Sequence, residues 1–199
     1  MPTDVNSRCR TILLFAMKRE AEPFLARLHG NDVVVEFTGI GRAAARKTLL
    51  RLLEQFPLPG LVIAAGYCGA LVPDLKVGDI VASPHILTVD HLVGDPQEKA
   101  RLAEEHGARA VDMESSAIAE ACAERGIPFT AIRAVSDASV TALSPELVRL
   151  LSGGEVSIWK ACLALIRRPH LLREFLRLHR DTKLAAERLA DALCERLAG

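Results

Sequence analysis

Short apolar runs alternate along the first two thirds of the chain with stretches whose apolar positions recur every third or fourth residue. Thr11 to Met17 reads as a strand, and Lys18 to Phe24 starts a helix with acids in its first turn, where the helix dipole favours them. Val33 to Thr38 is a second strand. Gly39-Ile40-Gly41 then turns into a helix over Arg42 to Phe56, with Ala45, Leu49, Leu52, Leu53 and Phe56 on one face. Leu61 to Ala65 is a continuous apolar strand that runs into Gly66 and Gly69; a buried strand meeting glycines marks the central strand of a sheet that ends at a site. Leu75 to Val81 leads into a further strand, Ile86 to Val93 forms another, and Gln97 to Glu105 is a short helix.

Ala110 to Asp137 repeats the alternation as strand, helix, strand. The helix, Ala117 to Arg125, carries Ala117, Ile118, Ala121 and Cys122 on one face and Glu120 and Glu124 on another. Ser115 or Ser116 caps its start, and Gly126 with Pro128 ends it. Each strand finishes on an acid, Glu114 and Asp137. If the two strands are parallel, both acids stand at one carboxyl edge, where open α/β sheets bind ligands. The pattern predicts a three-layer α/β fold, with a mixed, largely parallel sheet between helices on both faces. Beyond Asp137 come a loop (Ser139 to Leu143), a short helix (Pro145 to Ser152), a hinge at Gly153-Gly154 and a helical remainder split by Pro169. There Leu171, Leu172, Phe175, Leu176 and Leu178 form a stripe among Arg167, Arg168, Arg173, Arg177 and Arg180. That makeup fits a packing helix with a solvated basic face, or a helix that lies on a membrane surface or covers a lipid tail.

Composition narrows the class. The 199 residues suffice for one domain with a substantial core, expected to take in residues 1–199. Half are hydrophobic and a quarter charged, which argues against disorder. No apolar run spans a bilayer and Met1 to Arg10 lacks a signal-peptide pattern, so a cytoplasmic location is expected. Five scattered cysteines without a Cys-x-x-Cys predict reduced thiols and no metal site. Net charge is zero but uneven: residues 1–155 hold 16 basic and 20 acidic side chains, residues 156–199 hold 9 and 5. The neutral total argues against a nucleic-acid binder and leaves the basic segment 156–199 as the place for any membrane-surface contact.

The central motif carries a resemblance. Val-Asp-Met-Glu-Ser-Ser-Ala-Ile-Ala, followed by Pro-Phe-Thr-Ala-Ile-Arg-Ala-Val-Ser-Asp, resembles the nucleoside phosphorylase superfamily, and within it the methylthioadenosine/adenosylhomocysteine nucleosidases. The Val-Asp-Met-Glu-Ser form and the arginine-rich C-terminus look most like the hopanoid-associated branch, which takes adenine off adenosylhopane. Ala16-Met17-Lys18-Arg19-Glu20 looks like the nucleosidase opening Ala-Met-x-x-Glu, whose glutamate orients the attacking water, although Lys18 and Arg19 replace acids usual there. Gly66-Tyr67-Cys68-Gly69-Ala70 resembles the substrate-lining turn Gly-x-Ala-Gly-Gly, departing at Ala70. Leu75-Lys76-Val77-Gly78-Asp79 matches a strand entry of the family. Relatives insert a loop, a helix and a strand after Val81; this chain passes straight to the run that packs the purine, where Leu92 and Val93 take the place of Phe-Ile. The resemblance implies a nucleoside-phosphorylase-like fold, a purine nucleoside as substrate, water or inorganic phosphate as co-substrate, no bound cofactor, and a homodimer whose neighbouring subunit completes the 5′ pocket.

Breaking a purine N-glycosidic bond needs a protonated leaving base, a stabilised cationic sugar and a nucleophile. Asp137 is the expected acid near the purine N7, beside Ser136. Glu114 is expected to grip the sugar hydroxyls and place negative charge beside the oxocarbenium ion, with Met113 on the sugar face. Glu20 and Arg133 are expected to hold the nucleophile, while Gly66, Tyr67, Cys68, Gly69, Leu92 and Val93 line the substrate. Plainer readings stand beside these. Glu20 also fits as helix-start charge and Arg133 as a structural partner of a carboxylate. Asp112 is expected to face elsewhere, since alternate strand residues point to opposite sides. A dinucleotide site at Gly39 to Ala44 lacks the acid that should end the next strand. A nucleophilic elbow at Cys68 lacks its helix and its histidine. The competing functions are a nucleoside-binding protein without catalysis and a peripheral membrane module.

Overall fold

A computed structural model describes residues 11–29, 32–55, 58–146, 148 and 169–198, and of 169–172 the backbone alone. Seven strands form one sheet: β1 (Thr11–Phe15), β2 (Val33–Phe37), β3 (Leu61–Ala70), β4 (Ile80–Ala82), β5 (Ile86–Thr88), β6 (Ala110–Asp112) and β7 (Phe129–Asp137). Among the described residues, the helices include α1 (Lys18–Leu25), α2 (Arg42–Gln55), α3 (Pro96–His106), α4 (Ser115–Ala123) and α5 (Pro169–Ala198).

β3 is the hub. Its first half pairs in parallel with β1, which carries β2 on its far side. Its other edge pairs in parallel with β7 from Val62 to Gly69, with a register shift between Cys68 and Gly69, and β7 carries β4 antiparallel. At its far end Gly69 and Ala70 pair antiparallel with β6, which holds β5 in parallel. The mixed, largely parallel sheet read from the sequence is therefore present.

Side-chain alternation along the strands builds the two cores. On one face Ile12, Leu14, Val62, Ala64 and Ala131 pack under Ala45, Leu49 and Leu52 of α2 and Ile118, Ala121 and Cys122 of α4. On the other, Leu13, Phe15, Ile63, Ala65, Ile132 and Ala134 pack under Ala21 and Phe24 of α1 and Ala185, Leu189, Ala190 and Leu193 of α5. The three layers expected from the alternation are these. No helix among the described residues is long and apolar enough to cross a membrane.

Several local expectations are corrected. β3 does not stop at Ala65 but runs through the glycines to Ala70, so the substrate-lining turn is a strand with a bulge. The run from Ile86 is a strand only to Thr88. Pro169 stands in the first turn of α5, where a missing N–H costs nothing, and the stretch before it lies outside the described residues. The strands around the central motif are not parallel: β6 runs against β3 and β7 runs with it. The hinge at Gly153-Gly154, most of the helix at Pro145 to Ser152, Arg167, Arg168 and the side chains of Leu171 and Leu172 lie outside the described residues. Of the remaining stripe, Phe175 and Leu176 are 40% and 55% exposed.

Candidate active site

The opposed approach of β6 and β7 brings their acids to the same stretch of β3. A cavity of about 680 Å³ opens there, within the range typical of small-molecule sites. Ten of the sequence-predicted residues line it: Glu20, Tyr67, Cys68, Gly69, Leu92, Val93, Met113, Glu114, Ser136 and Asp137. Gly66 and Arg133 are not among its lining residues. Also lining it are Asp112, which was expected to face elsewhere, Leu178 of the apolar stripe on α5, and residues that sequence reasoning passed over, among them Ile40, Val111, Leu143 and Thr182.

Glu20 sits in the first turn of α1 and is 2% exposed. Its carboxyl group accepts from Met17 N–H at 2.8 Å and from Tyr67 N–H at 3.1 Å. Burial pushes its pKa up to about 7, against the pull of the Arg133 charge and the two backbone donors. The fit depends on Gly66, whose φ is +151°. A Cβ there would lie 2.5 Å from Arg133 Nη1 and 3.1 Å from Glu20 Oε1. Only glycine lets the guanidinium and the carboxyl group come this close to β3.

Arg133, 1% exposed, is held by acids. Its Nη2 lies 2.6 Å from Asp112 Oδ2 and 3.5 Å from Glu114 Oε2, and donates to Ser115 Oγ at 3.1 Å. Burial would lower its pKa, but Asp112, Glu114 and Glu20 outweigh burial and raise it. Asp112 thus faces the site rather than away from it. It accepts from Thr88 Oγ1 at 2.7 Å and from the N–H and hydroxyl of Ser115. The alternation rule misplaced it because β6 ends at Asp112 and the chain turns into α4 within three residues.

Glu114 lies between these groups. Gly41 N–H, at the start of α2, donates to its Oε1 at 2.8 Å. The glycine turn before that helix therefore sets a backbone donor on this carboxylate. Burial raises the Glu114 pKa, with Arg133 and the Gly41 N–H opposing. Cys68 is buried at the cavity wall, and burial pushes its thiol up, away from the thiolate a nucleophile needs.

Asp137 stands at the far side, on the last residue of β7. Ser136 Oγ donates to its Oδ1 at 2.9 Å. Its Oδ2 forms an ion pair with Lys99 of α3, a side chain with no exposed surface. Lys99 also donates to the Ala138 carbonyl at 3.0 Å. Sequence reasoning did not single out this lysine. The available signal was its place on the buried face of α3 together with Leu102, a position where helix periodicity asks for an apolar residue.

The site thus sets a buried carboxyl group at Glu20 and a paired carboxylate at Asp137 around one cavity, with Met113 and Glu114 on its wall. Sequence comparison gives the family. The family profile of the phosphorylase superfamily matches residues 8–87 and 85–151. The chain belongs to the phosphorylase superfamily. The match breaks where β4 turns directly into β5, the place where the sequence reading finds a segment missing. A 5′-methylthioadenosine/S-adenosylhomocysteine nucleosidase of Staphylococcus epidermidis is 26% identical over 165 residues, covering 57% of this chain and 72% of that protein. Among solved structures, the corresponding Helicobacter pylori nucleosidase with butyl-thio-DADMe-Immucillin-A superposes with a TM-score of 0.71 at 16% identity, over 97% of this chain and 99% of that one. Futalosine hydrolase of Helicobacter pylori strain 26695 gives 0.70 at 17%, over 96% and 98%. At such identities the structural likeness speaks to the fold. With its superfamily and its named nucleosidase relatives, the chain is an enzyme of N-glycosyl bond cleavage.

Proposed function

We propose that the protein hydrolyses the N-glycosidic bond of an adenosine-type nucleoside. The observation that carries this reading is Glu20: a carboxyl group raised to about 7 by burial, anchored by two backbone N–H groups, on the wall of the cavity that Asp137 also lines. A base poised near neutral pH suits the removal of a proton from attacking water. In this scheme Asp137 delivers a proton to the leaving purine, the C1′–N bond breaks with its electrons passing to the base, and Glu114 faces the cationic sugar. Water adds its oxygen to C1′ and gives its proton to Glu20.

Phosphate as the nucleophile fits less well. The guanidinium expected to hold it, Arg133, is engaged by Asp112 and Glu114 behind the cavity wall, and Glu20 would repel a dianion.

The finer reading concerns the 5′ end. Leu178 of α5 lines the cavity, and Phe175 and Leu176 stand exposed on the same helix beside the exposed Arg173 and Arg180. With β4 turning directly into β5, this favours a nucleoside bearing a large apolar 5′ group, the substrate type of the hopanoid-associated branch such as adenosylhopane, with the exposed end of α5 against a lipid surface.

Chromatographic assay of adenine release from methylthioadenosine and from an adenosine with a long 5′ alkyl chain, each with and without phosphate, tests both levels. Adenine with free pentose, independent of phosphate, is expected; a pentose 1-phosphate product sinks hydrolysis. Each buried methylene adds up to about 0.8 kcal/mol of binding, so the alkyl substrate should show the higher kcat/KM. Equal or better turnover of methylthioadenosine removes the lipid reading alone.

A further inference from the structure

Lys99 has no part in the scheme above, yet its ammonium group is fully buried against the carboxylate assigned as the acid. A purely structural ion pair is a weak account of it. Taking two charges out of water costs about as much as their attraction returns, and a well-packed apolar pair of similar volume commonly serves stability as well. The pair is also placed with chemical economy. One oxygen of Asp137 meets Lys99 and the other meets the Ser136 hydroxyl, so the carboxylate is held from both sides at the cavity wall. Gly69 leaves it room: a Cβ there would lie 3.3 Å from Asp137 Oδ2 and 3.5 Å from Oδ1. Lys99 itself is not among the lining residues, so it acts on a substrate only through Asp137.

We propose that Lys99 is the proton source and positioning residue for Asp137 in the departure of the purine base. The inference rests on the reading of the site as a purine nucleosidase. With substrate bound, the proton passes from Lys99 Nζ to Asp137 Oδ2, leaving a neutral amine and a neutral carboxyl group. The carboxyl proton then goes to the ring nitrogen of the purine as the C1′–N bond breaks and its electron pair moves onto the base. After the base departs, Asp137 is again a carboxylate; it takes a proton from solvent in the cavity and passes it back to Lys99, which itself has no exposed surface. The water proton taken by Glu20 is returned to solvent in the same cycle, so charge and atoms balance. The Ala138 carbonyl, at 3.0 Å from Nζ, holds the nitrogen in place in both protonation states. Cys68 on β3 feels the Asp137 charge together with those of Arg133 and Asp112.

The test compares two nucleosides in wild type, Lys99→Met, Asp137→Asn and the double variant. One is methylthioadenosine. The other is its N7-methylated cation, whose base leaves without needing a proton. Lys99→Met should lower kcat on methylthioadenosine by roughly 10²-fold, the scale of a lost general acid. On the N7-methylated nucleoside it should stay close to wild type. In the Asp137→Asn background Lys99→Met should cause no further loss. If Lys99→Met is too unstable to assay, Lys99→Gln replaces it: the amide can still donate to Asp137 but has no proton to give, and the same selective loss is expected. Equal losses on both nucleosides, or additive losses in the double variant, assign Lys99 a structural role and overturn the inference while the nucleosidase reading stands. Wild-type protein that releases neither adenine from methylthioadenosine nor 7-methyladenine from its N7-methylated cation overturns that reading and the inference with it.

Discussion

At the scale of single residues, Gly66 shows how the site depends on an atom that is absent. Its φ of +151° and the 2.5 Å approach of Arg133 Nη1 to the place of a Cβ leave no room for a side chain. Gly66→Ala should destabilise the protein by about 1–3 kcal/mol, the usual cost of a strained backbone conformation, and displace both Glu20 and Arg133. A urea titration measures the first effect and adenine release the second. Wild-type stability together with wild-type turnover would show that β3 accommodates the methyl group. The sequence marked Gly66 as special, because a glycine follows a continuous apolar run. It could not say that an arginine sixty-seven positions later and a glutamate from α1 would fill the space.

At the scale of elements, α5 is the clearest case of one helix with two tasks. Its second half presents Ala185, Leu189, Ala190 and Leu193 to the sheet, a stripe with helical spacing whose small residues allow close packing. Its first half reaches the cavity with Leu178 and Thr182 and ties the loop after β7, where Ser144 N–H donates to Glu174 at 2.7 Å and Arg177 to the Ala142 carbonyl at 3.4 Å. Leu189 has no exposed surface. Leu189→Ala should therefore cost about 2–5 kcal/mol, the transfer of the lost methyl groups plus the cavity left behind, visible as a lower urea midpoint. A change under ~1 kcal/mol would mean that α5 is not held against Leu13 and Ile63 as described. The sequence reading placed weight on the arginine-rimmed first half of this helix. The alanine-rich half that anchors it reads from sequence as an ordinary amphipathic helix, since alanine spacing does not name a partner.

At the scale of the whole molecule, stability and activity are linked through Glu20. Its carboxyl group titrates near 4.5 when unfolded and at about 7 when folded, so the folded state binds the proton more tightly. The stabilisation this gives is fully present below pH 4.5 and is lost as pH rises through about 7. The total is up to about 3 kcal/mol. Activity runs the other way, because only the ionised group can take a proton from water. The kcat/KM should therefore rise through about pH 7, the range in which Glu20 weakens the fold. Melting temperatures of wild type and Glu20→Gln across pH 5 to 8.5, beside a pH–rate profile, check both limbs. A wild-type-minus-variant stability difference that does not change with pH, or a flat rate profile over that range, would contradict the buried placement of Glu20.

How much of this was written in the sequence follows from the range of the forces involved. Apolar alternation and helical periodicity are local, and they named the strands, most helices and the three layers. The acids of the central motif gave Glu114 and Asp137 as candidates before any coordinates, and the resemblance of the Ala16-to-Glu20 opening added Glu20. The direction of β6 is not local. It depends on which edge of β3 is free: β1 ends against Ala65 and leaves Gly69 and Ala70 open to β6. The reversal put Glu114 and Asp137 on the same stretch of β3 by opposite routes and turned Asp112 into the partner of Arg133. Lys99 shows the same limit most sharply. A buried lysine needs a carboxylate within reach, and that carboxylate lies thirty-eight positions away on another element. The chain's own pattern fixes what each segment becomes, while the pairing of buried charges is settled only when the packed layers exclude water and each charge must find its neighbour.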